Sequence, residues 1–169
     1  ELAQRAEFVT PYTPYQPEVS QGSLQAIFEY QTMMTMLTGL DVANASLYDG
    51  ATAAAEAVLL AVRRSGRSRV LLAASLHPEY EAVIRTYVQN LPIELLTVAI
   101  DEKSGRVDDR DLRARLDDAT AAVVFQSPNF LGVVEDGRAI AAAAHERKAY
   151  AVQVVAEAMS LAYLTPPGE

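Results

Sequence analysis

The chain has 169 residues, is 50% apolar and 21% charged, and carries a formal net charge of −8. That length predicts one domain-sized body able to bury a core without metal or disulfide staples. The acidic balance argues against nucleic acid or an anionic membrane as partner, and zero Cys rules out disulfides, thiolate nucleophiles and Cys-ligated zinc.

In chain order, the first distinctive stretch is 8–22, where Pro11, Pro14 and Pro17 alternate with Tyr12 and Tyr15. Each proline removes an amide donor and biases the residue before it towards extended backbone, which predicts an ordered extended or polyproline-like loop. On such a three-residue-per-turn path, positions 12, 15 and 18 project along one side. A helix is predicted over 23–38, with Leu24, Ile27, Phe28, Met34 and Leu37 on one face and Gly39 just past its end. A second helix is predicted over 52–64, with Thr52 as N-cap, Glu56 near the positive end and Gly66 after the stop.

From there the pattern alternates. Nearly continuous apolar runs at 70–74, 93–100, 121–126 and 150–155 read as strands covered on both faces. Between them lie helical patterns: one with Pro78 at its first position, one capped by Asp108, and one capped by Asp136 and running to about Lys148. The spacing suits right-handed βαβ units. The fold class expected is α/β, a mostly parallel sheet with flanking helices. The organisation expected is 1–40 as a Pro/Tyr-rich loop and helix, then 41–169 as the α/β part.

Common motifs of parallel sheets are absent: no G-x-x-x-x-G-K-[ST], no G-x-G-x-x-G and no G-x-S-x-G occurs. His77 and His145, the two histidines, lie too far apart in sequence to suggest a metal site, and none is expected. Arg63, Arg64, Arg67 and Arg69 read as cations complementing a helix C-terminus rather than as a phosphate site. The sequon Asn44-Ala45-Ser46 lacks a secretory context, no apolar run approaches the roughly 20 residues of a membrane span, and a cytoplasmic protein with no membrane partner is expected. Because residue 1 is Glu rather than Met, a segment of a longer chain is expected. Asp49-Gly50-Ala51-Thr52 leads into a helix N-terminus, where free N–H groups and the dipole could hold a phosphate; an ordinary capped helix is the simpler reading.

The run Tyr12-Thr13-Pro14-Tyr15-Gln16-Pro17-Glu18-Val19-Ser20-Gln21-Gly22 resembles the signature of the glycine decarboxylase P-protein family, the pyridoxal-phosphate component of the glycine cleavage system. The likeness continues through Tyr30-Gln31-Thr32-Met33, Leu37-Thr38-Gly39-Leu40 and 43–53, and resumes at 164–169. Tyr48-Asp49-Gly50 is similar to the first (alpha) subunit of the bacterial two-subunit type, of which this would be a central segment.

The resemblance implies the large domain of fold-type I pyridoxal-phosphate transferases, the aspartate-aminotransferase-like fold. It places Gly50, Ala51 and Thr52 at the turn that grips the cofactor phosphate and His77 where a side chain stacks on the pyridine ring. Asn129 falls where an Asn approaches the ring hydroxyl, and Glu157 where a carboxylate pairs with the pyridine nitrogen. Glu157 is one methylene longer than the usual Asp. The Schiff-base lysine belongs further downstream, and neither Lys103 nor Lys148 is in its place.

These positions are therefore expected to be a vestigial pocket, with no cofactor bound covalently to this chain and pyridoxal phosphate carried by the beta subunit. Tyr12, Thr13, Tyr15, Gln16 and Glu18 are expected to complete the partner's active site, with the lipoyl H-protein and glycine as further partners. Two other readings stay open: a self-sufficient fold-type I enzyme such as an aminotransferase or cysteine-desulfurase relative, and a non-catalytic α/β interaction module.

Overall fold

The computed structural model describes residues 1–9, 13, 15, 16 and 18–169, apart from the side chain of Leu2. The chain divides into two compact units, one of Glu1–Ser46 with Leu161–Glu169 and one of Leu47–Ser160.

In the first unit, two short 3₁₀ turns, Leu2–Gln4 and Ala6–Phe8, precede helix α1, Gln21–Thr38. The helix ends where predicted: Gly39 adopts φ +69°, the left-handed region that favours glycine, and its N–H donates to Thr35 O at 2.9 Å. The predicted apolar face is present but covered only in part. No residue of α1 is buried, and Ile27, Phe28 and Leu37 are exposed. The tail returns to the end of this helix, with the Gly168 N–H donating to Thr38 O at 2.8 Å.

The described residues of the Pro/Tyr stretch correct the extended-loop expectation, because they turn. Tyr15 N–H donates to Thr13 O at 2.7 Å, and the N–H groups of Val19 and Ser20 converge on Gln16 O at 3.0 and 3.2 Å. Proline fixes its own φ near −65°, a value that turns use as readily as extended chain, so proline spacing alone does not select a straight path. Tyr12, which the sequence places in this loop, lies outside the described residues.

The second unit is a four-stranded, wholly parallel sheet in the order β2-β1-β3-β4, with β1 Arg69–Ala73, β2 Glu94–Val98, β3 Thr120–Gln126 and β4 Tyr150–Val154. Helix α2, Gly50–Ser65, leads into β1. Helices α3, Pro78–Val88, α4, Asp109–Arg115, and α5, Gly137–Glu146, form the crossovers.

Side-chain alternation splits the core in two. On one face Val70 and Leu72 of β1 and Ala122 and Val124 of β3 pack with Ala55, Val58, Ile84 and Val88 from α2 and α3. On the other, Leu71, Ala73, Val123 and Phe125 pack with Leu112, Ile140, Ala143 and Ala144 from α4 and α5. The alanines let α5 lie close to the strands. Being covered on both faces, β1 and β3 read in sequence as unbroken apolar runs.

Several helix ends match the sequence. Pro78 sits at the first position of α3, Asp108 Oδ1 accepts from the N–H groups of Arg110 and Asp111, and Asp136 Oδ1 accepts from Ala139 N. The predicted cap of α2 is corrected. Asp49 rather than Thr52 is the N-cap, and Thr52 is the third helical residue in a reciprocal capping box.

The strand order positions the site. The chain leaves β1 towards β2 on one side and returns from β2 to β3 on the other, so the topology reverses between β1 and β3. Beyond the carboxyl ends of two such strands lies the crevice where open α/β sheets bind ligands. Because α2 runs antiparallel to β1, its N-terminus lies at this same edge.

Candidate functional site

The segments after β1 and β3 meet at this edge. His77 follows β1 and caps α3, its Nδ1 accepting from Glu79 N at 3.2 Å and its own N–H donating to Gln126 Oε1 at 3.0 Å. The ring is half-buried and stands edge-on to Phe130, centroids 4.8 Å apart, with Tyr80 on another side at 5.4 Å. The Phe130 N–H donates to Ser75 O at 2.9 Å, which ties the loop after β3 to the segment after β1. Tyr80 closes over the start of α2 so tightly that a Cβ at Gly50 would overlap its hydroxyl. Gly50, Tyr80, His77 and Phe130 thus form one cluster at the switch point.

The start of α2 is engaged by the chain itself. Asp49 Oδ1 accepts from Thr52 N at 2.8 Å and from Thr52 Oγ1 at 3.0 Å, while Thr52 Oγ1 accepts from Asp49 N at 3.1 Å. The Thr52 N–H, then its hydroxyl, hold the Asp49 carboxyl below the ordinary aspartate value of 3.8. An anion is therefore already seated at the positive end of this helix.

Asn129 is buried, 4% exposed, and fully engaged. Its Nδ2 donates to Gly105 O at 2.9 Å and Glu135 Oε1 at 2.7 Å, and its Oδ1 accepts from Leu131 N and Val133 N, both at 3.0 Å. An asparagine side chain offers two donors and two acceptor sites, so nothing remains for a ligand.

Glu135, 7% exposed, is the hub of the same network. It accepts from Ser75 Oγ at 3.0 Å, Asn129 Nδ2 at 2.7 Å and Val107 N at 3.0 Å, and its own N–H donates to Ser127 Oγ at 3.2 Å. The loops after β1, β2 and β3 are thereby pinned to one another.

Glu157 is exposed beyond the end of β4, and its Oε1 accepts from Met159 N at 3.0 Å, capping the short 3₁₀ helix Ala158–Ala162. Lys103 is exposed in the turn after β2, the outer strand, and Lys148 precedes β4 at the opposite edge with φ +56°. Neither lysine sits at the switch point. In the other unit, Thr13, Tyr15, Gln16 and Glu18 are all exposed, Tyr15 at 79%.

A family model described as "Glycine cleavage system P-protein" matches residues 1–169. The chain belongs to the glycine cleavage system P-protein family. A probable glycine dehydrogenase (decarboxylating) subunit 1 of Koribacter versatilis is 51% identical over 168 residues, which are 99% of this chain and 38% of that protein. The corresponding protein of Geobacillus kaustophilus is 51% identical over 164 residues, covering 97% of this chain and 36% of that protein. The chain therefore spans under two-fifths of the length of these curated relatives.

The crystal structure of a glycine decarboxylase (P-protein) in inhibitor-bound form superposes with a TM-score of 0.88 at 52% identity, over 99% of this chain and 37% of that one. A Burkholderia pseudomallei sphingosine-1-phosphate lyase, at 20% identity and a TM-score of 0.71 over 85% of this chain and 36% of that one, shares the fold alone. The fold is that of the large domain of fold-type I pyridoxal-phosphate enzymes.

The family implies pyridoxal phosphate, and the residues of this P-protein segment do not fit it. At the start of α2 the Asp49 carboxylate already takes the Thr52 N–H, the Asn129 amide is saturated, and among the described residues neither Lys103 nor Lys148 lies at the switch point. Sequence reasoning placed Asp49 in the turn before α2 but not as its cap, and missed Tyr80, Phe130, Ser75 and Glu135 as members of this edge. A signal existed for Asp49 alone, which stands three residues before Thr52, although the usual capping box has Glu or Gln at the third helical position. Among the described residues, no helix is long and apolar enough to cross a membrane.

Proposed function

We propose that this chain is a segment of subunit 1 of a two-subunit glycine decarboxylase, and that it completes an active site whose pyridoxal phosphate is carried on a lysine of the second subunit. The whole enzyme, in the cytoplasm, would release CO2 from glycine and pass the aminomethyl carbon to the lipoyl group of the H-protein. The positions Gly50, Ala51, Thr52, His77, Asn129 and Glu157 are in this reading a vestigial cofactor pocket that now serves the fold.

The observation that carries the reading is the engagement of Thr52 and Asn129 by the chain itself at this edge, in a chain that the family model matches over residues 1–169. A family that needs the cofactor must hold it somewhere, and here Asp49 takes the Thr52 N–H and hydroxyl at the start of α2 while the Asn129 amide is engaged by Gly105, Glu135, Leu131 and Val133. The catalytic contribution of this chain then falls to the exposed polar segment before α1. Tyr15 offers a phenol that can donate to the glycine carboxylate without adding charge, and Glu18 a carboxylate that can orient the amine or a neighbouring hydroxyl. Thr13, Gln16 and Tyr12 add donors and acceptors on the same short segment. Division of the chain into 1–40, the Pro/Tyr-rich loop and helix, and 41–169, part of the large domain, belongs to the same proposal.

Reconstitution tests it. Full-length subunit 1 alone and subunit 2 alone are expected to show background glycine–bicarbonate exchange, and the mixture full exchange. Full exchange by either subunit alone would refute the shared site.

A further inference from the structure

Gly22, the second residue of α1, has no positive φ, and alanine is the better helix former at such a position. What requires glycine there is a neighbour. A Cβ at position 22 would stand 2.8 Å from Phe8 Cε1, 2.9 Å from Glu7 O and 3.0 Å from Glu7 Cβ. Ordinary carbon contact begins at roughly 3.5 Å. The Phe8 ring can swing aside, but the Glu7 carbonyl belongs to the 3₁₀ turn Ala6–Phe8, so the turn itself would have to move. Two residues before Gly22, the N-cap Ser20 is 5% exposed, whereas no residue inside α1 is buried. The packing of this part of the chain is tightest where the turn meets the start of the helix.

The chain between Phe8 and Gly22 therefore leaves and re-enters one junction, and it carries Thr13, Tyr15, Gln16 and Glu18. A segment whose two ends touch is ordered at a lower entropic cost than one with free ends. Resting on the proposal that Tyr15 and Glu18 serve the second subunit's active site, we infer that Gly22 is a positioning residue for them. By leaving room for Glu7 and Phe8, it seats the turn Ala6–Phe8 on the first turn of α1 and closes the near end of the segment. The far end is held separately, by the N–H groups of Val19 and Ser20 on Gln16 O directly before the helix. Displacing a positioned group by about 1 Å costs on the order of a hundredfold in rate. The overlap at position 22 demands a shift of about half that. Alanine would favour α1 and undo the seat, so helix propensity and positioning pull in opposite directions at this residue.

The experiment uses the assembled two-subunit enzyme with full-length subunit 1. Gly22→Ala is expected to slow glycine–bicarbonate exchange about tenfold or more, with assembly intact by sedimentation. Amide deuteration of peptides covering residues 9–20 should quicken about tenfold as the near end of the segment opens. In a Tyr15→Phe background the further loss caused by Gly22→Ala should shrink to about threefold, because a residue that acts through Tyr15 has less left to act on. A glycine that only held up the fold would cost the same in both backgrounds.

Phe8→Ala removes the ring from the same junction without creating an overlap, and it decides the matter if Gly22→Ala does not assemble. It should change both readouts in the same direction, by about threefold or more. Normal glycine–bicarbonate exchange in the assembled junction variants, beside slow exchange in Tyr15→Phe or Glu18→Gln, would overturn the inference and leave the earlier proposal standing. So would a loss from Gly22→Ala that is undiminished in the Tyr15→Phe background. Near-normal exchange in both Tyr15→Phe and Glu18→Gln would sink the earlier proposal, and amide deuteration then decides the role of Gly22. Quickened deuteration would keep it as the residue that seats the segment; unchanged protection would overturn it.

Discussion

Tyr15→Phe and Glu18→Gln, made in the assembled two-subunit enzyme, are each expected to slow glycine–bicarbonate exchange by about tenfold to a thousandfold, the range typical for loss of one positioned proton-handling or charge-stabilising group. Neither change removes bulk, so subunit assembly, followed by sedimentation, should be unaltered. Tyr15 is 79% exposed and Glu18 is also exposed, so the fold of this chain does not depend on the phenol or the carboxylate. Turns hold both in place: Tyr15 N–H reaches Thr13 O, and Val19 and Ser20 close on Gln16 O immediately before α1. A short turn locked by backbone hydrogen bonds presents side chains at a lower entropic cost than a free loop. Near-normal exchange in both variants, with assembly intact, would return this segment to a purely structural role.

The largest expected loss of stability comes from Glu135. Glu135→Ala in the full subunit 1 leaves Ser75 Oγ, one Asn129 amide hydrogen and the Val107 N–H without their acceptor at a site that is 7% exposed. Each orphaned buried donor costs about 1–3 kcal/mol where no water reaches it, so a total loss of about 2–4 kcal/mol is expected after partial relaxation. Glu135→Gln should lose less, since the amide oxygen can still serve Ser75 and Asn129 while its NH2 faces the Val107 N–H. Denaturant unfolding of the three proteins checks the order wild type, Gln, Ala. A loss below about 1 kcal/mol for the Ala variant would mean that water replaces the carboxylate.

Much of the sheet was legible because its signal is local and one-dimensional. Short apolar runs bounded by helix signals, as at β1 and β3, read as strands buried on both faces, and Pro78, Asp108, Asp136 and Gly66 carry helix-end chemistry in a single residue each. Where two cap-competent residues stood close together, at Asp49 and Thr52, local chemistry did not choose between them. The structure uses both, Asp49 as the cap and Thr52 as the third helical residue returning a hydrogen bond to the Asp49 N–H.

The edge of the sheet was harder still. Asn129 was placed in the right loop, but its saturation depends on Gly105, Leu131, Val133 and Glu135 arriving together, and no spacing rule encodes that. Proline spacing before α1 misled for a different reason: it constrains φ and leaves ψ free, so the turns at Thr13–Tyr15 and Gln16–Ser20 were as compatible with it as an extended path.

The central claim is that the cofactor is bound through the second subunit and not through this chain. Borohydride reduction of the assembled enzyme loaded with pyridoxal phosphate, followed by peptide mapping of both subunits by mass spectrometry, tests it most directly. The account predicts stoichiometric label on a lysine of the second subunit and none on Lys103 or Lys148. Stoichiometric label on either of those two lysines would contradict it.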